Sequence, residues 1–354
     1  MKKGYVTFEP WHGELNNTRM CFEVALVFSH LLERTLVIPE TSYRRIGQHC
    51  DGRWLPLHPS DIYDFRVLMD AFSIESGPAF SRASRQCATS STLTVSIPAA
   101  QITFVYPPPL PLPGSKHHRL LAAFSAGRKV ATFPYDYNDY ERVHLKPMLE
   151  HFYTFFFLPS EDDRRIKRLI RDHLVFRAEI QEIAARAIAR LPSFHAAHIR
   201  RGDFHRSYPS QILEPRIVLS NILKVVPPGS TLYVATDETD RIYFSEFGRH
   251  YDIRFFRDLA TGYIGDLPVE WIAAAEQLIC VESESFVGTR LSTFSGYITR
   301  LRGYRRKQNL GIYFTDGSAT ESTMALKPTP QFSWLLSLQN TPLWGREYKE
   351  AWEF

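Results

Sequence analysis

The chain has 354 residues, 44 % of them hydrophobic. That is enough apolar side chain for substantial cores, favours two domains over one and excludes disorder throughout. A formal charge of +4 and an isoelectric point near 8.8 favour anionic ligands slightly, without the concentrated basic footprint of a dedicated nucleic-acid protein. The N-terminus, MKKGYVTFEP, runs straight into a strand-like stretch with no apolar core or small-residue cleavage site. No apolar run approaches the ~20 residues that cross a bilayer, so a cytosolic protein without an anchor is expected. Cys21, Cys50, Cys87 and Cys280 lie far apart, outside any zinc-ligand spacing. Cys21 and Cys280 read as buried free thiols, and a Cys50–Cys87 disulfide stays open.

In chain order, Tyr5 to Phe8 alternates as a strand, a glycine-containing turn follows, and Asn16 to Glu33 carries helical apolar spacing through Met20, Val24, Val27 and Leu31. Thr35 to Ile38 is the next strand, completing the opening of an α/β unit. From Tyr43 to Pro113 the pattern weakens and suggests surface excursions; Pro107 to Pro113 is either a stiff extended spacer or an SH3-type ligand. Ser160 to Leu191 is amphipathic at helical spacing and is expected to bridge two domains until Pro192 stops it. A second α/β series then begins, with strands at His195 to Ile199, Thr231 to Ala235 and Ile253 to Phe256. Its helices are expected at Glu214 to Val225, Thr239 to Phe247, Val269 to Leu278 and Leu291 to Leu301, the last opened by a Ser-Thr cap. Two α/β domains facing each other across a cleft are the expected architecture, and ligands of such sheets bind outside the carboxyl ends of the strands.

Four segments fall at such strand ends. Gly13, Glu14, Asn16 and Asn17 lie between the first strand and helix, where a tight turn and free helix-start amides suit an anion, or where Asn16 simply caps the helix. His198, Arg200, Arg201, Gly202 and Asp203 leave the first strand of the second series. An arginine fork there matches pyrophosphate geometry; the alternative is a structural Arg–Asp pair beside a core histidine. Asp237 ends the following strand, and Ser292, Thr293 and Phe294 open a helix, where hydroxyls either meet phosphate or cap.

In content and order these segments resemble the GDP-fucose O-fucosyltransferase family and its α1,6-fucosyltransferase relatives. The resemblance rests on Gly13, Asn16, Asn17 and Arg19 in the early turn, on His198, Arg200 and Asp203 in a His-x-Arg-x-x-Asp signature, and on Ser292, Thr293 and Phe294 late in the chain; Tyr43 to about Lys129 matches nothing in it. It implies a GT-B fold with an N-terminal Rossmann-like domain on the acceptor side (1–160), a linking helix (161–191), a C-terminal nucleotide-sugar domain (192–335) and a tail (336–354) packing back on the first domain. It also implies GDP-fucose as donor, no metal and no other cofactor, and inversion at the sugar carbon. Arg200 then holds the β-phosphate, while His198, Asp203, Asp237, Glu276 and Ser292 to Phe294 shape the nucleotide pocket, Glu276 as a base-reading acid. The chain departs from the usual turn by carrying Glu14 where relatives often have a second glycine. A carboxylate there is either a general base for the acceptor hydroxyl or a side chain facing solvent.

The competing readings are a transferase for another nucleotide sugar, a nucleotide-sugar-binding protein that transfers nothing, and an RNA-binding protein using Arg300, Arg302, Arg305, Arg306 and Lys307. That basic run reads better as a solvated helix end. A Rossmann dehydrogenase is disfavoured by the lack of Gly-x-Gly-x-x-Gly after either opening strand, and a manganese-dependent transferase by the lack of Asp-x-Asp before Asp237. The acceptor, whether protein, peptide, glycan or small metabolite, is left open.

Overall fold

The computed structural model describes residues 4–10, 13–39, 42–45, 54–78, 92–95, 141–147, 151–155, 160–262, 267–307, 311–314, 347, 351–352 and 354. Pro107 to Pro113, Cys50 and Cys87 lie outside them; Cys21 and Cys280 are buried free thiols.

Strand β1 (Tyr5–Phe8) buries Val6 and Phe8 and pairs in parallel with β2 (Thr35–Ile38) on one side and β7 (Arg142–Leu145) on the other. With β5 (Ile74–Ser76) beyond β2 and β6 (Thr92–Val95) beyond β7, the first sheet has the order β5-β2-β1-β7-β6 and is parallel throughout. An antiparallel pair, β3 (Ser42–Arg45) and β4 (Trp54–Leu57), stands apart. The region after Tyr43 is therefore not only surface excursion: it supplies two sheet strands, and Leu57, Ile62, Tyr63, Leu68 and Phe72 are core residues. The three residues of β5 are too few to display a period-two pattern.

The second sheet, β8 (Phe194–Ile199), β9 (Thr231–Thr236), β10 (Asp252–Arg254), β11 (Phe286–Gly288) and β12 (Ile312–Tyr313), is also parallel, in the order β10-β9-β8-β11-β12. All six residues of β8 are buried, as expected of a strand covered on both faces. The strand order reverses between β8 and β11, and between β1 and β7, which makes these the switch points where a crevice opens.

Helices cover both sheets. Helix α1 (Leu15–Leu31) is buried almost all round because it packs on its own sheet and also touches α10 (Thr293–Tyr304) of the second unit. Between them in sequence come α2 (Phe65–Met69), α3 (Phe152–Phe155), α4 (Ser160–His173), α5 (Ala178–Ile188), α6 (Phe204–Ser207), α7 (Pro215–Ile222), α8 (Phe256–Leu259) and α9 (Val269–Glu282). One apolar cluster runs through both units, from Val6 and Phe22 to Tyr233, Ile279 and Tyr297, and a second fills the far face of the later sheet around Val234 and Phe247.

Two expected helices differ. The 160–191 stretch is two helices, because 174–177 is drawn into extended contact with 62–64: Asp64 N donates to Val175 O, Arg177 N to Ile62 O, and the Phe176 ring stacks on Tyr63 at 5.7 Å. The 239–247 stretch forms two 3-10 turns, Arg241–Phe244 and Phe247–Arg249, in which buried Phe244 and Phe247 lie three residues apart, the period of that tighter helix. No helix among the described residues is long and apolar enough to cross a membrane.

Candidate active site

Where β8 ends, the chain must leave a buried sheet without stranding backbone groups. Thr289, just beyond β11, solves this for two of them: its hydroxyl donates to His198 O (2.9 Å) and accepts from Arg200 N (2.8 Å). Asp237, just beyond β9, accepts from Arg201 N at 2.8 Å, and its carboxylate sits so close to Gly202 that any Cβ there would collide with it. Arg200 and Arg201 thus diverge. Arg201 is tied down by Glu238 (2.7 Å), by Leu213 O (3.1 Å) and over the Tyr243 ring, whereas Arg200 faces the seam between the units.

Three carboxylates surround the Arg200 guanidinium. Nη2 donates to Glu14 Oε1 at 2.7 Å and lies 2.7 Å from Asp203 Oδ1, and Nη1 lies 3.0 Å from Asp237 Oδ2. Burial works against the charge of Arg200, but Glu14, Asp237 and Asp203 outweigh it and raise its pKa, so the side chain is a fixed cation.

The partner across the seam is the early turn. Glu14 occupies the N-cap position of α1 in extended backbone, its carbonyl accepting from Asn17 N and Thr18 N, while its side chain reaches Arg200 instead of capping. A Cβ at Gly13 would come within 2.7 Å of the Asn17 side-chain nitrogen Nδ2, so any other residue there would push Asn17 out of its place. Asn16 does not cap the helix; its Oδ1 accepts from Arg19 Nε and from Gln277 Nε2 of α9, both at 3.3 Å. Asn17 Oδ1 accepts from Thr293 Oγ1 at 3.0 Å. Glu14, Asn16 and Asn17 each hold a residue of the second unit, so Glu14 is neither loose in solvent nor unpaired.

The remaining expected residues divide. Ser292 stands at the N-cap of α10 with no side-chain cap bond, and Thr293 is committed to Asn17, so the expected Ser-Thr cap does not form. Leu291 before them has φ 64°, a left-handed backbone unusual for a branched residue and a mark of local strain in this turn. The first amides of α10 lack intrahelical acceptors by helix geometry. His198 is buried behind this surface, its Nδ1 2.7 Å from Ser295 Oγ and its ring stacked on Phe294 at 4.4 Å. Burial, then the Arg200 charge, push its pKa down to about 3, so it stays neutral and belongs to the support of Arg200. Glu276 lies on α9, accepting from Tyr233 Oη at 3.0 Å; burial pushes its pKa up to about 8 against the effect of that bond.

Sequence reasoning missed Thr289 and Ser295, although a hydroxyl directly after a buried strand is a recognisable signal. It also misplaced half of the basic run: Arg305 and Arg306 are exposed at the helix end as expected, but the two arginines before them are not. Arg300 and Arg302 are fully buried and form neither an RNA surface nor a solvated helix end. Arg302 donates to the carbonyls of Cys280, Val281, Ser283 and Glu284, closing the C-terminus of α9. Arg300 pairs with Glu23, which also holds Arg19 at 2.7 Å; Arg19 reaches Glu347 at 2.7 Å, and Tyr153 donates to Glu347 at 2.5 Å. Arg19 therefore lies in a buried ion network, away from the crevice. Among the described residues no group of three His, Cys, Asp or Glu side chains is arranged to hold a metal ion. A groove of about 660 Å³ on α4, lined by Arg164, Arg168, His173 and Phe354 among others, shares no residue with the Arg200 cluster.

Compared with known families, residues 5–305 match the profile of the GDP-fucose protein O-fucosyltransferases. Compared with curated protein sequences, the chain matches none. Among solved structures it is similar to POFUT1 in complex with GDP-fucose (13 % identity, 89 % of this chain and 98 % of that one, TM-score 0.54) and to POFUT1 in complex with GDP (14 % identity, 89 % and 99 %, TM-score 0.54). A third similar structure is NodZ α-1,6-fucosyltransferase soaked with GDP-fucose (15 % identity, 91 % and 98 %, TM-score 0.44). The shared fold is GT-B, two Rossmann-like units meeting at a crevice.

Proposed function

The chain belongs to the GDP-fucose protein O-fucosyltransferase family and is a glycosyltransferase, and we propose that it transfers fucose from GDP-fucose to an acceptor hydroxyl, with inversion and without a metal or other cofactor. The observation that carries this is Arg200, a permanent cation at the switch point of the second sheet, facing the first unit's turn at the seam. A pyrophosphate seated there meets a guanidinium fork and the free amides opening α10, the combination that suits phosphate oxygens. POFUT1 has been solved with GDP-fucose and with GDP in the same fold, which supports the choice of donor.

On this reading the bond between the sugar carbon and the β-phosphate oxygen breaks as the acceptor oxygen attacks from the opposite side. Negative charge grows on the phosphate, where Arg200 offsets it. Glu14 takes the acceptor proton, and Asp203 and Asp237 hold Arg200 in place. Gly13, Asn17, Ser292 and Thr293 border the donor. Asn16, His198 and Phe294 support them from behind, and Glu276 lies at the base-reading end.

Calorimetric titration with GDP, UDP and dTDP, with and without a chelator, tests the donor: GDP binds best and is indifferent to chelation. Preference for UDP or dTDP favours another nucleotide sugar, and binding abolished by the chelator overturns the metal-free mechanism. Arg200→Ala is expected to lose both affinity and turnover, at a cost of about 2–4 kcal/mol in transition-state stabilisation, because one charge-assisted contact serves ground and transition states. An Arg200→Ala variant with undiminished turnover removes the basis of the proposal.

A further inference from the structure

The cation suited to a pyrophosphate is already occupied by the carboxylate assigned to the acceptor. Glu14 Oε1 takes an Arg200 Nη2 bond at 2.7 Å across the seam, from a different unit and 186 residues away in sequence. Asp203 and Asp237, the other two carboxylates on Arg200, come from the same unit as the arginine and stay with it. Asp237 is further fixed by Arg201 N, so it is not free to leave. Glu14 has no second side-chain hydrogen bond among those described, and its exposure of 37 % lies between Asp237 at 21 % and Asp203 at 47 %; what sets it apart is that it alone is brought to Arg200 by the other unit.

We propose that Glu14 is a latch on Arg200 that the donor's pyrophosphate displaces, so that the base is released toward the acceptor only when the donor is seated. Nη2 already carries two carboxylates, Glu14 and Asp203, so the incoming pyrophosphate, with the larger charge and the α10 amides as additional donors, takes the place of the one that comes from the other unit. The freed carboxylate accepts the acceptor hydroxyl proton, the acceptor oxygen bonds to the sugar carbon, and the electron pair of the breaking carbon–oxygen bond leaves with GDP. Proton abstraction thus waits for the leaving group. The inference rests on the reading of Arg200 as the pyrophosphate-binding residue.

Competition predicts that removing the Glu14 charge tightens anion binding while slowing transfer, a split that a carboxylate acting only as a base does not produce. The test is calorimetric titration of the parent, Glu14→Gln and Glu14→Asp with inorganic pyrophosphate and, separately, with GDP, alongside turnover of GDP-fucose. Glu14→Gln is expected to bind both about three- to tenfold more tightly, the worth of one partly exposed ion pair no longer displaced. Glu14→Asp, whose shorter side chain no longer reaches at 2.7 Å, is expected to bind more tightly than the parent as well and carries the test if the Gln variant does not fold. Affinities equal to or weaker than the parent's overturn the latch. The two proposals fail differently: tighter pyrophosphate binding without any GDP binding keeps the latch and removes the GDP donor, whereas unchanged, Arg200-dependent GDP binding keeps the donor and removes the latch.

Discussion

Two arginine–carboxylate clusters join the same two units, and what separates them is water. In the crevice, the Arg200 side chain is 15 % exposed and its partners Glu14, Asp203 and Asp237 are 37, 47 and 21 % exposed. In the core, Arg19, Glu23, Arg300 and Glu347 are all at 0 or 1 %. The chemistry of the pairs is the same in both places, but only where water reaches them can a ligand take a partner's place. A fully dry pair is costly to assemble and more costly to break, since the group left behind keeps its charge without solvent. The core cluster therefore fixes how α1, α10 and Glu347 meet, and the crevice cluster is left exchangeable at that fixed seam.

The largest expected effect breaks the dry side of this comparison. Glu23→Gln keeps shape but leaves Arg19 and Arg300 with only Glu347 between them, and should cost about 3–5 kcal/mol of stability, read from the urea midpoint. Glu14→Gln, in the wet cluster, is expected to change stability by less than about 1 kcal/mol. Equal losses in the two variants would make the crevice cluster structural too and erase the distinction.

A second prediction sharpens it with pH. Glu276 is a half-buried carboxyl with no cation against it among the described residues, held well above its ordinary value of 4.5, at about 8. Because the folded pKa is the higher one, the unfolded state gives up its proton first. This group's contribution is fully present below about pH 4.5 and is lost as pH rises to about 8. Glu276→Gln should therefore be more stable than the parent by on the order of 2–3 kcal/mol at pH 8, with the difference vanishing near pH 4. Unfolding measured across that range checks it; a gain of the same size at both ends contradicts it.

The fold class was legible because each unit opens on a strand, turn and helix with clear periodicities, as in Tyr5 to Ile38 and Phe194 to Ala235. The crevice was legible because its residues follow strand ends: Arg200 after β8, Asp237 after β9, Ser292 after β11. What could not be read was partnership across the seam. Nothing near Glu14 in sequence announces Arg200, and nothing near Arg300 announces Glu23, 277 residues away, which is why a buried anchor looked like a solvated helix end. Short strands such as Ile74–Ser76 escaped for a different reason, since three residues carry no period and their place is set by the sheet they join.

The smallest expected effect concerns a residue that touches neither cluster's charges yet holds one of them in register. The Thr289 hydroxyl joins His198 O and Arg200 N, so it fixes the backbone from which the Arg200 side chain projects. Thr289→Val keeps the volume and leaves one buried carbonyl and one amide without that partner, a loss of about 1 kcal/mol or more. If the hydroxyl only stabilises the fold, melting temperature falls and GDP affinity at saturating folding is unchanged. If it positions Arg200, GDP affinity and turnover fall together by about fivefold, corresponding to roughly 1 kcal/mol. Thr289→Ser, which restores the hydroxyl without the methyl group, then recovers most of the affinity. Because Thr289 lies beyond β11 and Arg200 beyond β8, recovery by serine ties the crevice cation to the strand pairing at the switch point, a dependence that the dry cluster around Arg300 does not share.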